Sequence, residues 1–381
     1  MMKKINIGIV GCGFAAELHM EAYKRVAGYD VNVMALSTLS KRRGEFSKKY
    51  KIELVYDSLE EMLNNNEIDV IDICTPPHNH MEAIKKIISS GKYIICEKPL
   101  TGYFTSNKID KNAYEKVVKE LDELKTLLKD YNEKFFYAEN LVYAPTIQKS
   151  KEILEKTKNK ILFMKGEESH SGSHAVHSAL WEYSGGGAFI RQGCHPLGAV
   201  LYLKKIEGLA RGEEVTASSV IGDTGNVLKT LTPQEKRYIN ANPVDVEDCA
   251  NVILTFSDGT KANIVAGDMV VGGGRNIIEV YTNESVHHCN ITPNNNMKLY
   301  SVTEEKLEDI YISEKVENKS GWQELSIEES FLRGYVGEMQ DFIECVGEKR
   351  KPQSDFNLAY ELTKIIYAAY LSAQEGRRIT L

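Results

Sequence analysis

The chain has 381 residues, of which 42% are hydrophobic and 27% charged, and its formal net charge is −7. This length exceeds what one hydrophobic core usually serves, so we expect two domains, residues 1–145 and 146–381. The composition is that of a globular protein, and the acidic balance with both signs mixed disfavours nucleic acid or an anionic membrane as a partner. The lack of a run of eighteen apolar residues argues against a transmembrane helix.

The N-terminus and the cysteines indicate a reducing, cytoplasmic location. The first residues are basic, but the apolar stretch after them is short, contains glycines and leads into a strand and turn rather than a cleavage site. The seven cysteines are scattered and odd in number, which is not typical of a disulfide framework. We therefore expect a cytoplasmic protein whose partner is a small molecule.

The first part of the chain alternates short apolar runs with helical periodicity, a pattern that predicts βαβ units around a mostly parallel sheet. Between the strands, Ser58 and Glu61 form a capping box, and a helix over Met81–Ser90 ends before Gly91. A longer helix is predicted over Asn112–Asn132, after a loop at residues 101–111. The predicted strands are Ile5–Val10, Val31–Leu36, Val70–Cys74, Tyr93–Cys96 and Phe135–Ala138.

The pattern changes after about residue 147, where strands are joined by tight turns. Val252–Phe256 and Thr260–Val265 flank Asp258-Gly259, which predicts an antiparallel hairpin. Ile277–Tyr281 and Ser285–Ile291 repeat this arrangement, and a C-terminal helix is predicted over Asn357–Glu375. The predicted fold class is α/β, with an N-terminal nucleotide-binding domain and a C-terminal α+β domain that has a large, open, mainly antiparallel sheet.

A glycine-rich turn follows the first strand. Gly11-Cys12-Gly13-Phe14-Ala15-Ala16 stands between a strand and a helix and reads G-x-G-x-x-A. Gly11 allows the tight turn, Gly13 lets a pyrophosphate approach the backbone, and Ala16 is small enough for close helix packing. A glycine turn can also simply end a strand, but its order with the flanking elements favours a dinucleotide site. The predicted cofactor contacts in this turn are Gly11, Gly13, Phe14 and Ala15.

The end of the second strand bears on the choice between NAD and NADP. An NAD site usually has an acidic residue there, which binds the ribose 2′-hydroxyl, but this strand ends in Ser37 and is followed by Lys41, Arg42 and Arg43. Hydroxyls and cations suit a 2′-phosphate better. We predict NADP or NAD with NADP slightly favoured, and Ser37 and Arg42 as contacts. The alternative is that these cations belong to an ordinary exposed helix start.

The tripeptide Glu97-Lys98-Pro99 follows the fourth predicted strand. A lysine at the carboxyl end of a parallel strand lies in the crevice where ligands bind. Its cation can polarise an alcohol, or it can give up a proton if burial lowers its pKa. Alone, the tripeptide could be an ordinary turn at the end of a strand. The glycine turn, and residues 75–80, Thr-Pro-Pro-His-Asn-His, after the preceding strand, make it a much more specific signal.

With these motifs the sequence resembles the glucose–fructose oxidoreductase/inositol dehydrogenase (Gfo/Idh/MocA) family over nearly its whole length. The glycine turn, the segment at residues 75–80, Glu97-Lys98-Pro99 and the segment from Gly185 to His195 occur in the family's order. The resemblance implies a Rossmann domain, a second domain that often makes homodimer or homotetramer contacts, and Lys98 and His195 as catalytic residues. It also implies cofactor contacts from Thr75, Pro76, His80, Glu97 and Lys98.

One position departs from the family pattern. Many members have an aspartate four residues before the histidine, where this chain has Arg191. Either another acid compensates, or the substrate is anionic or differently oriented. Arg191 is equally suited to clamp a carboxylate or phosphate and to form a structural ion pair.

Polar and aromatic residues between the two predicted domains suit a carbohydrate-like substrate, since hydroxyls need donors and sugar rings pack on flat faces. His170, His174 and His195 could converge on a metal, but no carboxylates or thiolates stand at matching positions, so we predict no metal. His287 and His288 lie in a predicted strand, where neighbouring side chains point to opposite faces, so we expect them to have a structural role. The predicted substrate contacts are Lys98, Tyr143, His174, Trp181, Arg191 and His195.

The resemblance implies an NAD(P)-dependent oxidoreductase that transfers a hydride to or from a secondary alcohol carbon of a sugar, glycoside, cyclitol or sugar acid. One alternative is glycoside cleavage or epimerisation through a transient keto-sugar, with the cofactor retained. Another is a non-catalytic regulator that senses the dinucleotide, which the presence of both Lys98 and His195 disfavours.

Overall fold

The computed structural model describes residues 2–173, 175–292, 297–305, 307–310, 312, 316, 318–325 and 328–381. The chain forms two large sheets with helices packed on them, and a separate hairpin. The first sheet is parallel, with the strand order β3-β2-β1-β4-β5-β6. Its elements are β1 Lys3–Val10, α1 Phe14–Tyr23, β2 Tyr29–Ser37, α2 Arg43–Tyr50, β3 Leu54–Tyr56, α3 Leu59–Leu63, β4 Val70–Ile73, α4 His80–Ile88, β5 Tyr93–Glu97, α5 Lys111–Leu127 and β6 Phe135–Ala138.

All five predicted strands of this sheet are confirmed, because runs such as Val70–Ile73 and Phe135–Ala138 are buried at every position. The strand β3 was not predicted, since its three residues are only partly buried and form no continuous apolar run. The strand order reverses direction between β1 and β4. Ligands bind at such a switch point, beyond the carboxyl ends of the strands.

Local signals position the helices as the sequence indicates. The Ser58 hydroxyl accepts a hydrogen bond from the Glu61 amide and begins α3, and Gly91 after α4 has a left-handed φ of 73°. The Asp110 carboxylate caps α5. That helix ends at Leu127, five residues before the predicted end.

The second sheet has the order β12-β11-β7-β10-β9-β8-β15, and every pair in it is antiparallel except β7 with β10. This confirms the mainly antiparallel second sheet and both predicted hairpins.

The boundary between the two predicted domains, at residues 145 and 146, stays a prediction. The remaining elements are α6 Pro145–Thr157, β7 Ile161–Ser169, α7 Trp181–Ser184, a π-helical turn Phe189–Gly193, α8 Cys194–Arg211, β8 Ala217–Gly225, β9 Cys249–Phe256, β10 Lys261–Gly267, β11 Arg275–Thr282, β12 Val286–Asn290, β13 Met297–Ser301, β14 Gly321–Leu325, α9 Glu329–Leu332, α10 Tyr335–Glu348, α11 Phe356–Glu375 and β15 Ile379–Thr380.

The C-terminal helix α11 ties the two sheets together. It packs on β8 of the second sheet and on α5 and β6 of the first. Tyr360 donates a hydrogen bond to Asp122 of α5 at 2.8 Å, and the Tyr367 hydroxyl accepts from the amide of Tyr103 at 2.8 Å. No described helix is both long enough and apolar enough to cross a membrane.

Candidate active site

The glycine turn after β1 is tightly packed at Gly11 and open at Gly13, where a ligand can approach the backbone. Gly11 has a φ of 103°, and a Cβ there would lie 2.5 Å from the carbonyl oxygen of Cys74. A Cβ on Gly13 would meet nothing within 4 Å, and Phe14 at the start of α1 is 64% exposed. The Thr75 hydroxyl is buried without a partner among the described residues. This open backbone at a helix N-terminus fits the pyrophosphate of a dinucleotide.

Beside this turn, the end of β2 presents hydroxyls and cations. Ser37 is buried, and its carbonyl accepts the Gly11 amide at 2.9 Å. Arg42 does not stand free, because it pairs with Glu17 of α1 at 2.6 Å, and Lys49 pairs with the same carboxylate at 2.9 Å. Exposed pairs of this kind contribute about 0–1 kcal/mol, so the Arg42 guanidinium can be redirected at small cost.

A buried charged cluster lies where α1 packs on β4 and β5. His19 of α1 contacts Asp72 at 2.9 Å through Nδ1 and Glu97 at 3.1 Å through Nε2. Burial lowers the pKa of His19, but the Asp72 charge outweighs it and the net pKa is raised well above its usual value. A protonated imidazole donates from both nitrogens, so His19 joins α1 to the ends of β4 and β5. The sequence reasoning did not identify His19.

Lys98 follows β5 directly and reaches the second domain. Its Nζ donates to the carbonyl oxygen of Arg191 at 2.8 Å, and its amide donates to the Glu97 carboxylate at 2.9 Å. Burial lowers the pKa of Lys98, but Cys194 and Glu97 outweigh it and the net pKa is raised. Of the two predicted states, this favours the cation over the neutral amine.

The glycine run before α8 is held by a buried carboxylate. Glu247 accepts hydrogen bonds from the Gly187 amide at 2.7 Å, the Phe189 amide at 2.9 Å and the Tyr370 hydroxyl at 2.8 Å. A Cβ on Gly187 would lie 1.8 Å from the Glu247 carbonyl oxygen, so only glycine fits. The π-helical turn that follows delivers His195 to the first turn of α8.

His195 is 3% exposed, and its Nδ1 lies 2.7 Å from Oε1 of Glu139, the residue that follows β6. Burial lowers the pKa of His195 to about 3, and the Lys98 cation acts in the same direction. Burial raises the pKa of Glu139 to about 8. The two neighbours are therefore both uncharged near neutrality. Glu139 thus contacts the histidine from a different element than the position of the missing aspartate, and the sequence analysis did not name it.

Arg191 forms an ion pair with Asp268 at 2.5 Å, and Gln192 donates to the other oxygen of the same carboxylate. The Arg191 side chain is 15% exposed and Asp268 is 2% exposed. This contact supports the structural reading of Arg191. The Arg191 Nε is buried without a partner in the described part of the chain, and a substrate contact stays a prediction.

Two predicted substrate residues have their polar groups occupied in the packed interior. Tyr143 donates to Asp341 at 2.8 Å and accepts the Ser354 amide at 3.0 Å. Trp181 is 5% exposed and donates from Nε1 to the Tyr103 carbonyl at 2.6 Å. These contacts do not support the prediction that either side chain binds substrate.

Two further predicted site residues are histidines, His80 and His174. His80 is buried, with its ring nitrogens 2.9 Å from the Pro99 carbonyl and 2.8 Å from the Thr75 carbonyl, so it fixes the backbone at the crevice. His174 lies outside the described residues. The disfavoured alternative of a metal held by His170, His174 and His195 is therefore not tested, and His195 lies near Glu139 and Cys194.

Comparison with known proteins identifies the family. The description "Oxidoreductase family, NAD-binding Rossmann fold" matches residues 5–130, and "GFO/IDH/MocA C-terminal domain" matches residues 159–286. The chain belongs to the GFO/IDH/MocA family. This confirms the resemblance, the α/β fold class and the Rossmann domain.

Individual relatives of this GFO/IDH/MocA protein are distant. A levoglucosan dehydrogenase of Pseudarthrobacter phenanthrenivorans is 24% identical over 70% of this chain and 68% of its own length. An uncharacterized protein of Saccharomyces cerevisiae is 29% identical, but the match spans only 41% of either chain.

Solved structures share the fold over the whole GFO/IDH/MocA chain. GenD2 from gentamicin A biosynthesis, in complex with NAD, has a TM-score of 0.81 at 20% identity and covers 100% of this chain and 97% of its own. The scyllo-inositol dehydrogenase of Lactobacillus casei, with bound NAD(H) and scyllo-inositol, has a TM-score of 0.75 at 15% identity and covers 99% of both chains.

Proposed function

We propose that this protein is an NAD(P)-dependent dehydrogenase that transfers a hydride to or from a secondary alcohol carbon of a sugar, glycoside, cyclitol or sugar acid. The observation that carries the proposal is a half-buried lysine cation, Lys98, whose charge acts on a buried neutral histidine, His195, in a fold that also has the open glycine turn. The levoglucosan and scyllo-inositol dehydrogenases among its relatives support the substrate class.

The residues present fit a dinucleotide. The open backbone at Gly13 would hold the phosphates of the dinucleotide. The Thr75 hydroxyl, which has no partner among the described residues, would bind a polar group beside them. When bound, the nicotinamide supplies or takes up the hydride. Protein groups need only orient the substrate, stabilise charge on its oxygen and move one proton.

Lys98 and His195 divide this work. The Lys98 cation stabilises negative charge that develops on the substrate oxygen, and its Nζ contact with the Arg191 carbonyl fixes the direction of the side chain. The Nδ1 of His195 is held by Glu139, which leaves Nε2 to exchange a proton with the substrate hydroxyl. The burial of His195 and the partial burial of Lys98 limit competition from bulk water.

We also propose that NADP is preferred over NAD. Residues 37–43 contain no carboxylate, and the nearby Glu17 is neutralised by Arg42 and Lys49. A 2′-phosphate would meet the Ser37 hydroxyl and could attract the Arg42 guanidinium away from its exposed partner.

The test starts with the cofactor that co-purifies. Freshly purified protein is denatured, and mass spectrometry and absorbance identify any released nicotinamide cofactor and its redox state. The protein is then assayed with NADP and with NAD against neutral sugars, cyclitols and sugar acids. Reduction of added NADP by at least one of these compounds is expected. Tight cofactor retention with product formed at constant NADPH would instead indicate the redox-neutral alternative, and binding without turnover would indicate a regulator.

A further inference from the structure

The environment of His195 contains a second group that can hold a proton. Glu139 is fully buried at the carboxyl end of β6, and its Oε1 lies 2.7 Å from Nδ1 of His195. Its other oxygen, Oε2, has no hydrogen-bond partner among the described residues. A Cβ on Gly198, one turn after His195, would lie 2.8 Å from Cγ of Glu139, so the glycine makes room for this carboxyl group.

Because Glu139 and His195 are both buried, few combinations of their charge states are energetically acceptable. An isolated buried carboxylate is costly, and so is an isolated imidazolium, unless each is compensated. A carboxylic acid that donates to a neutral imidazole satisfies Nδ1 and leaves the proton of the ring on Nε2. The raised pKa of Glu139 and the lowered pKa of His195 agree with this arrangement.

The surrounding charges act on this pair from several elements. The Lys98 cation favours the ionised form of Glu139, whereas the Glu97 carboxylate opposes it. Glu168 of β7 and Arg333 after α9 act in opposite directions on His195. The titratable or charged groups that face the pair are Glu97, Lys98, Tyr137, Glu168, Cys194, Arg333 and Glu338.

We propose that Glu139 is a positioning residue that also stores the proton exchanged between His195 and the substrate hydroxyl, so that the pair, not His195 alone, is the acid–base unit. This proposal rests on the proposed function. It assigns the role of the missing aspartate to a residue from a different element of the fold, 56 positions before His195 in the sequence.

The step balances in both directions. In the reduction, a hydride reaches the carbonyl carbon, the C=O π bond becomes the O–H bond, and His195 Nε2 gives its proton to that oxygen. The proton of Glu139 moves to Nδ1 at the same time, which leaves a carboxylate and a neutral imidazole. In the oxidation, Nε2 takes the hydroxyl proton as the Nδ1 proton returns to Glu139.

The tautomer of His195 tests this proposal without a substrate. The protein has nine histidines, and 15N NMR of histidine-labelled protein reports which ring nitrogen carries the proton. The His195 signals are assigned by their loss in His195→Gln. We expect the proton on Nε2 below about pH 8, where Glu139 is protonated, and on Nδ1 above it. A tautomer that stays constant between about pH 6 and pH 10, or an imidazolium in that range, would overturn the proposal.

Two variants separate Glu139 from other buried acids. Glu139→Gln keeps the size of the side chain but has no ionisable proton, so the exchange of tautomers with pH should disappear. Glu120→Gln is the matched control, since Glu120 is also a largely buried carboxyl with a raised pKa but bonds to Thr101. The control should keep the exchange. Persistence of the exchange in Glu139→Gln would assign the proton to another group and contradict the proposal.

Kinetic measurements then test the role of Glu139 separately from the proposed dehydrogenase activity. With an active substrate, Glu139→Gln should lower kcat about 10–100-fold, change KM little, and remove the rise of the oxidation rate with pH near 8. An unchanged pH profile would overturn the role of Glu139 while leaving the dehydrogenase intact. Failure of every sugar in the panel, with the tautomer exchange present, would reject the proposed function and keep the proton pair.

Discussion

At the scale of single residues, the charge of Lys98 controls its neighbours as well as the substrate. It lowers the pKa of both His195 and Glu139, and its own pKa is raised, so it remains a cation in the working pH range. Because Lys98 lowers the pKa of Glu139, the pair of Glu139 and His195 loses its acidic proton at a lower pH than it would without this cation. The same cation compensates an alkoxide.

We therefore predict two effects of Lys98→Met. The rate of hydride transfer should fall about 10²–10⁴-fold, as expected for loss of a group that stabilises the reacting oxygen. The midpoint of the His195 tautomer exchange should move upward, since the charge that favours ionised Glu139 is gone. Single-turnover kinetics and NMR measure the two.

The control for that prediction is Lys92, which lies just before β5, whereas Lys98 follows β5. Lys92 is more buried than Lys98 and donates to the carbonyls of Asn65 and Ile68. Lys92→Met should lower stability but leave the turnover of the folded protein and the pH midpoint unchanged. Equal losses of turnover in both variants would show that Lys98 acts only through stability.

Ser37 provides a residue-scale prediction for the cofactor. Ser37→Asp places a carboxylate at the buried end of β2, where it repels a 2′-phosphate and can accept a hydrogen bond from a 2′-hydroxyl. The Kd for NADP should rise at least about tenfold, and the preference should move toward NAD. Calorimetric titration with both cofactors measures this change.

Ser58→Asp adds the same charge between β3 and α3, away from the glycine turn. Ser58 caps α3, and aspartate is an equally good cap, so this control should bind both cofactors as the wild type does. An unchanged preference in Ser37→Asp would mean that the ribose 2′ position lies elsewhere.

At the scale of elements, the junction of β1 and α1 depends on one conformation of Gly11. In Gly11→Ala the methyl group would clash with the Cys74 carbonyl, and the φ of 103° is itself strained. We expect a loss of about 1–3 kcal/mol in stability and a marked loss of dinucleotide affinity, because the turn must shift. Denaturant unfolding and cofactor titration measure the two effects.

Gly28 offers a matched control for the backbone strain. Its φ is 81°, but a Cβ there meets nothing within 4 Å. Gly28→Ala should cost about 1–2 kcal/mol through its positive φ alone and leave dinucleotide binding unaffected. If Gly11→Ala binds the dinucleotide as tightly as Gly28→Ala does, the close approach at Gly11 is not part of the site.

What the sequence predicts about these elements depends on how local the signal is. The buried parallel strands and the glycine turn have continuous local patterns, so their positions agree with the structure within a few residues. The pairing of Glu139 with His195 is not local, since it depends on how β6 and α8 are placed in three dimensions. The available signal was a charged residue directly after the buried run Phe135–Ala138. His19 was missed for the same reason, because its partners Asp72 and Glu97 come from two other strands.

At the scale of the whole molecule, the outer face of the second sheet carries both apolar and charged side chains, since Ile253 shares its row with Asn263, Lys165 and Glu279. Helices α8 and α11 pack on the sheet, and the alternation in β9 buries Val252 and Leu254. Ile253, between them, faces the other way and is 41% exposed. The predicted homodimer or homotetramer would cover such residues.

We expect sedimentation velocity to show a dimer or tetramer, and Ile253→Lys to shift the protein toward smaller species. A lysine there places a charge in the interface. Leu39→Lys is the control, because Leu39 is 92% exposed in the loop after β2 and should not alter the assembly. A monomeric wild type would contradict the prediction.

Stability of the whole molecule should fall as pH rises above neutrality. A carboxyl whose pKa is raised by folding keeps its proton in the native state after the unfolded chain has lost it, so stability declines between the unfolded and folded pKa values. Glu139, Glu247 and Glu338 all have raised pKa values caused by burial. His195 has the opposite effect, but only below its unfolded pKa of about 6.5, where stability rises with pH.

The Glu139 and His195 contributions thus nearly cancel between about pH 4.5 and pH 6.5, and the Glu139 contribution alone remains between about pH 6.5 and pH 8. In that window we expect Tm to fall by a few degrees in the wild type and by less in Glu139→Gln, as measured by scanning calorimetry. Glu152→Gln is the control: Glu152 is exposed with a lowered pKa, and it does not titrate in this window. An equal slope in wild type and Glu139→Gln would mean that Glu139 is already ionised in the native protein, and its partner His195 would then hold the Nδ1 proton at neutral pH.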